Sequence, residues 1–154
     1  MAYNPNQQAK NIHDLIEKTF QSEDLKYTEV DAGENYHFRL KFSGEDLPMD
    51  LSFFVDTKRQ LIRVVSYLPV HAPKDKFSNI ALALAIINYR LNCGCFNLDL
   101  SDGSMSFCLN ATFKGSIIAA DIIQSLLATS LSTIEKYNDK LFMLSKGMIK
   151  VEDI

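Results

Sequence analysis

Three times between residues 36 and 68 the chain alternates apolar and polar side chains, and no other feature limits its fold as tightly. Tyr36, Phe38, Leu40 and Phe42 alternate with His37, Arg39, Lys41 and Ser43. Met49, Leu51, Phe53 and Val55 alternate with Asp50, Ser52, Phe54 and Asp56, and Ile62, Val64, Ser66 and Leu68 alternate with Leu61, Arg63, Val65 and Tyr67. Successive strand residues face opposite sides of a sheet, so each run has one core face and one wetter face. Turn-forming stretches at 31–35, 43–46 and 56–59 separate the runs, and a further strand is expected at 25–31. Connections this short demand antiparallel pairing, because a parallel pair needs a crossover of about a dozen residues. The last two runs, joined through 57–60, should pair Phe54 with Arg63, Ser52 with Val65 and Asp50 with Tyr67. The fourth strand is expected over 60–68, ahead of a break between Pro69 and Pro73.

A second hairpin is expected around Asp102-Gly103, a strong signal for a two-residue type I′ turn. Ser101 would face Ser104. Outward from there Leu100 would meet Met105, Leu98 Phe107 and Phe96 Leu109. On the other face Asp99 would meet Ser106, Asn97 Cys108 and Cys95 Asn110. A slip of one residue would exchange the two faces, so pattern and turn agree.

Helical spacing appears in three places. Over 6–21 the stripe is Ala9, Ile12, Leu15, Ile16 and Phe20, with Asn4-Pro5 as a capped start. Over 74–91 the segment NIALALAIINYRL is apolar nearly all the way round, so the helix should be covered on two sides. One cover would be the sheet, and the other a third helix or a second subunit, with Ala81, Ala83 and Ala85 permitting close approach. Over 115–145 the pattern would make a helix some 45 Å long. Such a helix either breaks near 128–130 or reaches a partner with its end, and Gly147 would stop it. The tail, 146–154, should be short and loosely held.

The predicted order is therefore α-β-β-β-β-α-β-β-α. This is an α+β fold with helices on one face of an antiparallel sheet. A single domain spanning 1–154, with its core over about 6–145, accounts for the whole chain. With 47% hydrophobic and 23% charged residues the sequence is neither disordered nor collagen-like. A formal net charge of −3 gives no basic field for nucleic acid. No signal peptide or membrane-length apolar run is visible, so no membrane partner is expected. Three cysteines, an odd number, suit a reducing cytoplasm.

This order resembles the YbjN-like family of bacterial proteins, whose fold is like that of type III secretion chaperones. The matching residues are the helix end INYRLN (87–92, with Asn88 inside it), the hairpin NLDLSDGSMSFCLNATF, and the long amphipathic helix after Lys114-Gly115. The resemblance covers roughly 15–144. It implies a sensory transduction regulator without established catalytic activity. The related chaperones are small, acidic, cytoplasmic dimers that bind extended segments of other proteins.

No catalytic, cofactor-binding or metal-binding residue stands out. Cys93-Gly94-Cys95 has C-x-C rather than zinc-like C-x₂-C spacing. Cys95 and Cys108 share a face in the expected register but lie diagonally. His13, His37 and His71 sit in no nucleophile motif. Lys114-Gly115-Ser116 lacks the order and the upstream glycine of a P-loop, and no G-x-G-x-x-G occurs. The chain is therefore expected to be no enzyme and to need no cofactor.

The wetter sheet face is more informative. Phe54, Val65 and Tyr67, with Arg63 and Arg39, are larger and more apolar than solvation requires, and aromatic and Arg side chains are favoured at protein contacts. They form the candidate protein-binding surface. Ala81, Ala85 and Tyr89 of the second helix and Leu127 and Leu131 of the third form the candidate seam of a homodimer. The leading expectation is a cytoplasmic protein-binding adaptor. The alternatives are a small-ligand sensor with a pocket between helices and sheet, and an enzyme with an unrecognised site.

Overall fold

A computed structural model describes residues 4–154. Helix α1 (Pro5–Ser22) starts where expected. The Asn4 side chain accepts from the backbone N–H groups of Asn6 and Gln7 at 3.1 and 3.3 Å, and Pro5 occupies the first turn, which lacks N–H partners anyway. The helix buries Ala9, Ile12, Ile16, Thr19 and Phe20. Strands β1 (Tyr27–Ala32), β2 (Asn35–Phe42), β3 (Met49–Asp56) and β4 (Leu61–His71) follow. A short 3-10 turn, Lys74–Lys76, leads into α2 (Phe77–Arg90). Then come β5 (Cys95–Leu98), β6 (Ser104–Thr112), α3 (Ala120–Ser145) and a final 3-10 turn, Val151–Asp153.

The strands form one antiparallel sheet in the order β1-β2-β3-β4-β6-β5. The β3–β4 register is the one the alternation predicts: Phe54 faces Arg63, Ser52 faces Val65 and Asp50 faces Tyr67. Phe38, Leu40, Leu51, Phe53, Ile62, Val64 and Phe107 turn to the other face and are at most 1% exposed. There they meet Phe20 of α1, Ile80 and Ile87 of α2, and Ile123 and Leu141 of α3 in a single core. Truncating one such Phe to Ala costs about 3–5 kcal/mol.

Four expectations are corrected. First, β4 runs on to His71 through Pro69. The ladder is irregular between Tyr67 and His71, and a bulge gives a residue without an N–H a tolerable place. Second, the β5–β6 register differs by two residues: Leu98 faces Met105, Phe96 faces Phe107, Asn97 faces Ser106 and Cys95 faces Cys108. The loop holds four residues, not two. Gly103 N–H donates to the Asp99 carbonyl at 2.8 Å, the Asp99 carboxylate accepts from Ser101 N–H at 2.8 Å, and the Asp102 carboxylate accepts from Ser104 N–H at 2.8 Å. A shift of two keeps every side chain on its face, so alternation cannot detect it. Third, α3 begins at Ala120, five residues later than expected, and runs unbroken for 26 residues, about 39 Å. Fourth, the tail is tied down. Ile149, Val151 and Ile154 pack on the core, Arg90 donates to the Ile154 main-chain oxygen at 2.9 Å and Lys140 to that of Asp153 at 3.2 Å.

The tail thus covers part of α2, which buries Ile80, Ala83, Leu84 and Ile87 on its inner side. Its outer side stays open: Ala81 and Ala85 are exposed, Leu82 is 56% exposed and Tyr89 92%. Between these sides Asn88 reaches the edge strand. Its amide donates to the Phe96 carbonyl at 3.0 Å and accepts from the Phe96 N–H at 2.8 Å. Those two backbone groups point away from β6 and would otherwise lack a protein partner. Asn88→Ala should lower the unfolding free energy by about 2 kcal/mol, at roughly 1 kcal/mol per hydrogen bond, measured by urea titration. Asn88→Leu restores volume without hydrogen bonds and should not recover the loss.

Candidate protein-binding surface

The three helices occupy one face of the sheet and leave the other uncovered. Pairing fixes three rows across it: His37–Phe54–Arg63–Asn110, Arg39–Ser52–Val65–Cys108 and Lys41–Asp50–Tyr67–Ser106. Leu61, Arg63, Val65 and Tyr67 stand on β4 at alternate positions. With Phe54 and Asp56 of β3 and Asn110 of β6 they line an open depression of about 630 Å³. Phe54, Arg63, Val65 and Tyr67 are therefore brought together. Val65 lies at the bottom, 6% exposed, and Tyr67 stands at the side, 64% exposed. Arg39 is exposed one strand further over, in the same row as Val65, and does not line the depression.

Side chains around the depression hold one another. The Phe54 ring stacks on His37 with centroids 4.1 Å apart, and His37 Nε2 lies 3.0 Å from the Ser52 hydroxyl. Burial, and then the nearby Arg39 charge, push the His37 pKa below its ordinary value. Arg63 Nε donates to Cys108 Sγ at 3.3 Å. Asp56 accepts from the Arg59 backbone N–H at 2.8 Å and from its guanidinium at 2.9 Å, and these bonds lower its pKa. With Asp56 matched by Arg59, Arg39, Lys41 and Arg63 outnumber Asp50 and Asp99 on this face. An acidic chain thus presents a basic, aromatic sheet surface.

The five seam candidates do not form one surface. Ala81, Ala85 and Tyr89 share the open side of α2. Leu127 and Leu131 are half-buried and, with Phe20 and Leu25, line a separate hollow of about 260 Å³ between α1 and α3. Leu82 and Leu61 were missed as surface residues. Leu61 shares the parity of Arg63, Val65 and Tyr67, so alternation alone could have added it. Asn110 needed the β4–β6 pairing, which carries no local signal. His13 bridges α1 and β1, 2.8 Å from both the Asp14 and Glu29 carboxylates. Among the described residues no group of three or more His, Cys, Asp or Glu side chains is placed to hold a metal ion. No helix among them is long and apolar enough to cross a membrane.

An antiparallel six-stranded sheet with three helices, in this order, is the α+β fold of YbjN-like and secretion-chaperone-like proteins. E. coli YbjN, described as a proposed transcription regulator, superposes with a TM-score of 0.64 at 13% identity, covering 87% of this chain and 92% of that one. The ExsC–ExsE complex matches at 0.64 and 15% identity, covering 86% and 95%. An uncharacterized protein from Methanothermobacter thermautotrophicus matches at 0.59 and 14%, covering 88% and 96%. No protein-family model and no curated protein sequence matches the chain.

The His37 shift has a consequence for stability. Its folded pKa lies below the unfolded value of about 6.5. Its contribution is therefore fully present above that value and is lost as pH falls toward the folded pKa, where the unfolded chain binds the proton more readily. Between about pH 7.5 and about pH 5 the wild type should lose more stability than His37→Gln, read from paired urea midpoints. Equal losses in the two proteins would remove His37 from the pH response.

Proposed function

We propose that this protein is a non-catalytic, cytoplasmic adaptor that holds a segment of another protein on the open face of its sheet. The observation carrying this reading is the depression along β4, where Tyr67 is exposed and Leu61 and Phe54 are partly exposed around a Val65 floor, beside Arg63. Apolar side chains next to a guanidinium suit a segment with aromatic or aliphatic anchors flanked by carboxylates. The fold is shared with ExsC, which was solved in complex with ExsE, and with YbjN, a proposed regulator. A small-ligand sensor would want space between helices and sheet. Phe20, Phe38, Phe53 and Phe107 fill that layer, each 0% exposed, which favours the adaptor.

The adaptor acts as a homodimer joined through the open side of α2. Ala81 and Ala85, one turn apart, let a second helix approach, and Leu82 and Tyr89 supply apolar area. Leu127 and Leu131 lie away from that seam.

Two experiments test these statements. Proteins retained from host extract by the wild type, and lost by both Phe54→Glu and Tyr67→Glu, identify the partner. Its binding, titrated by calorimetry, should weaken about 30-fold or more in each variant, the scale of a lost hot spot. Both variants should keep the wild-type circular dichroism. Undiminished binding by both would reject the sheet face. In sedimentation at tens of micromolar the wild type should run as a dimer and Tyr89→Arg as a monomer, and a monomeric wild type rejects the seam.

A further inference from the structure

We propose that Cys95 and Cys108 are a modification site, a dithiol that small-molecule disulfides such as glutathione disulfide convert reversibly to a cross-strand disulfide. All three cysteines are free thiols here, and these two are direct partners across β5 and β6. Because the Phe96 N–H and carbonyl turn outward to Asn88, Phe96–Phe107 is a non-hydrogen-bonded pair. The neighbouring Cys95–Cys108 pair is then of the hydrogen-bonded kind, with Cα atoms about 5.5 Å apart. That separation lies within the range disulfides span. Opposed Cβ atoms stand about 4.5–5.5 Å apart, against about 3.8 Å across a disulfide. Closure must therefore draw the strands together, and a bond formed under strain is the more readily reduced.

The surroundings set the order of events. Cys95 is partly exposed, whereas Cys108 is 5% exposed beside Arg63. The Cys95 thiolate attacks one sulfur of glutathione disulfide, forms a mixed disulfide and releases one glutathione thiolate. Cys108 then gives up its proton to solvent and its sulfur attacks that of Cys95, displacing the second glutathione. The Arg63 guanidinium, 3.3 Å from Cys108 Sγ, is aimed at the sulfur on which negative charge develops. Two protein thiols and one glutathione disulfide become one protein disulfide and two glutathiones, and two electrons pass to glutathione. Cys93 has no ladder partner, because β5 begins at Cys95. The inference stands apart from the adaptor reading.

The test equilibrates the whole protein with glutathione disulfide, alkylates the remaining thiols and cleaves on the N-terminal side of Asp99 and Asp102. That cleavage puts Cys95 and Cys108 on different peptides. Mass spectrometry should find them joined, with Cys93 alkylated or carrying glutathione. The link should persist in Cys93→Ser, vanish in Cys95→Ser and reverse on adding reduced glutathione. A link made by Cys93, glutathione adducts without a link, three free thiols, or a link that excess reduced glutathione cannot open would each overturn the proposal.

Discussion

Burial of one face of the sheet beneath three helices is the constraint on which everything else depends. Fully burying a Phe, Leu or Ile side chain contributes about 1.5–3 kcal/mol. On β2, β3, β4 and β6 nearly every inward position is spent this way. Because strand side chains alternate, the same burial dictates what the opposite face carries. Its residues are free of the core and can be chosen for contact with something outside. β4 shows both demands at once. Ile62, Val64 and Leu68 hold the helices, and Leu61, Arg63, Val65 and Tyr67 between them line the outer depression.

Electrostatics follow the same division. The chain as a whole is acidic, at −3, yet Arg39 and Lys41 of β2 and Arg63 of β4 share the uncovered face. Asp56 is drawn aside by Arg59 through two hydrogen bonds. A field of this kind steers an acidic segment and is screened by salt over about 10 Å at 0.1 M. The apolar floor beneath it is insensitive to salt. Binding there would combine a screened attraction with an unscreened anchor.

The sequence was most legible where side-chain period and connection length agreed. β2 to β4 had both, so faces and the β3–β4 register came out as read. The β5–β6 hairpin had the period but a misread turn. There the carboxylates of Asp99 and Asp102 hold backbone N–H groups and lengthen the loop, and a shift of two leaves the apolar pattern intact. Helix stripes were legible, but not what covers them. Leu127 and Tyr89 read alike in a helical wheel, yet one lies against α1 and the other in solvent. The tail misled for a related reason. Ile149, Val151 and Ile154 are too few to mark an element, and the tail is held in part by Arg90, 64 residues before the Ile154 it bonds.

The Asn88 clamp gives the sheet a direction. At the β5 end a side-chain amide stands where the next strand's peptide group would be, so lateral extension is terminated by mimicry. At the β1 end no such amide stands among the described residues, and the strand carries the carboxylates of Asp31 and of Glu29, the latter held by His13. The Asp31 carboxylate disfavours pairing with a second copy there. One border of the sheet is thus capped at Phe96 by the chain's own amide, whereas the other is guarded by charge alone.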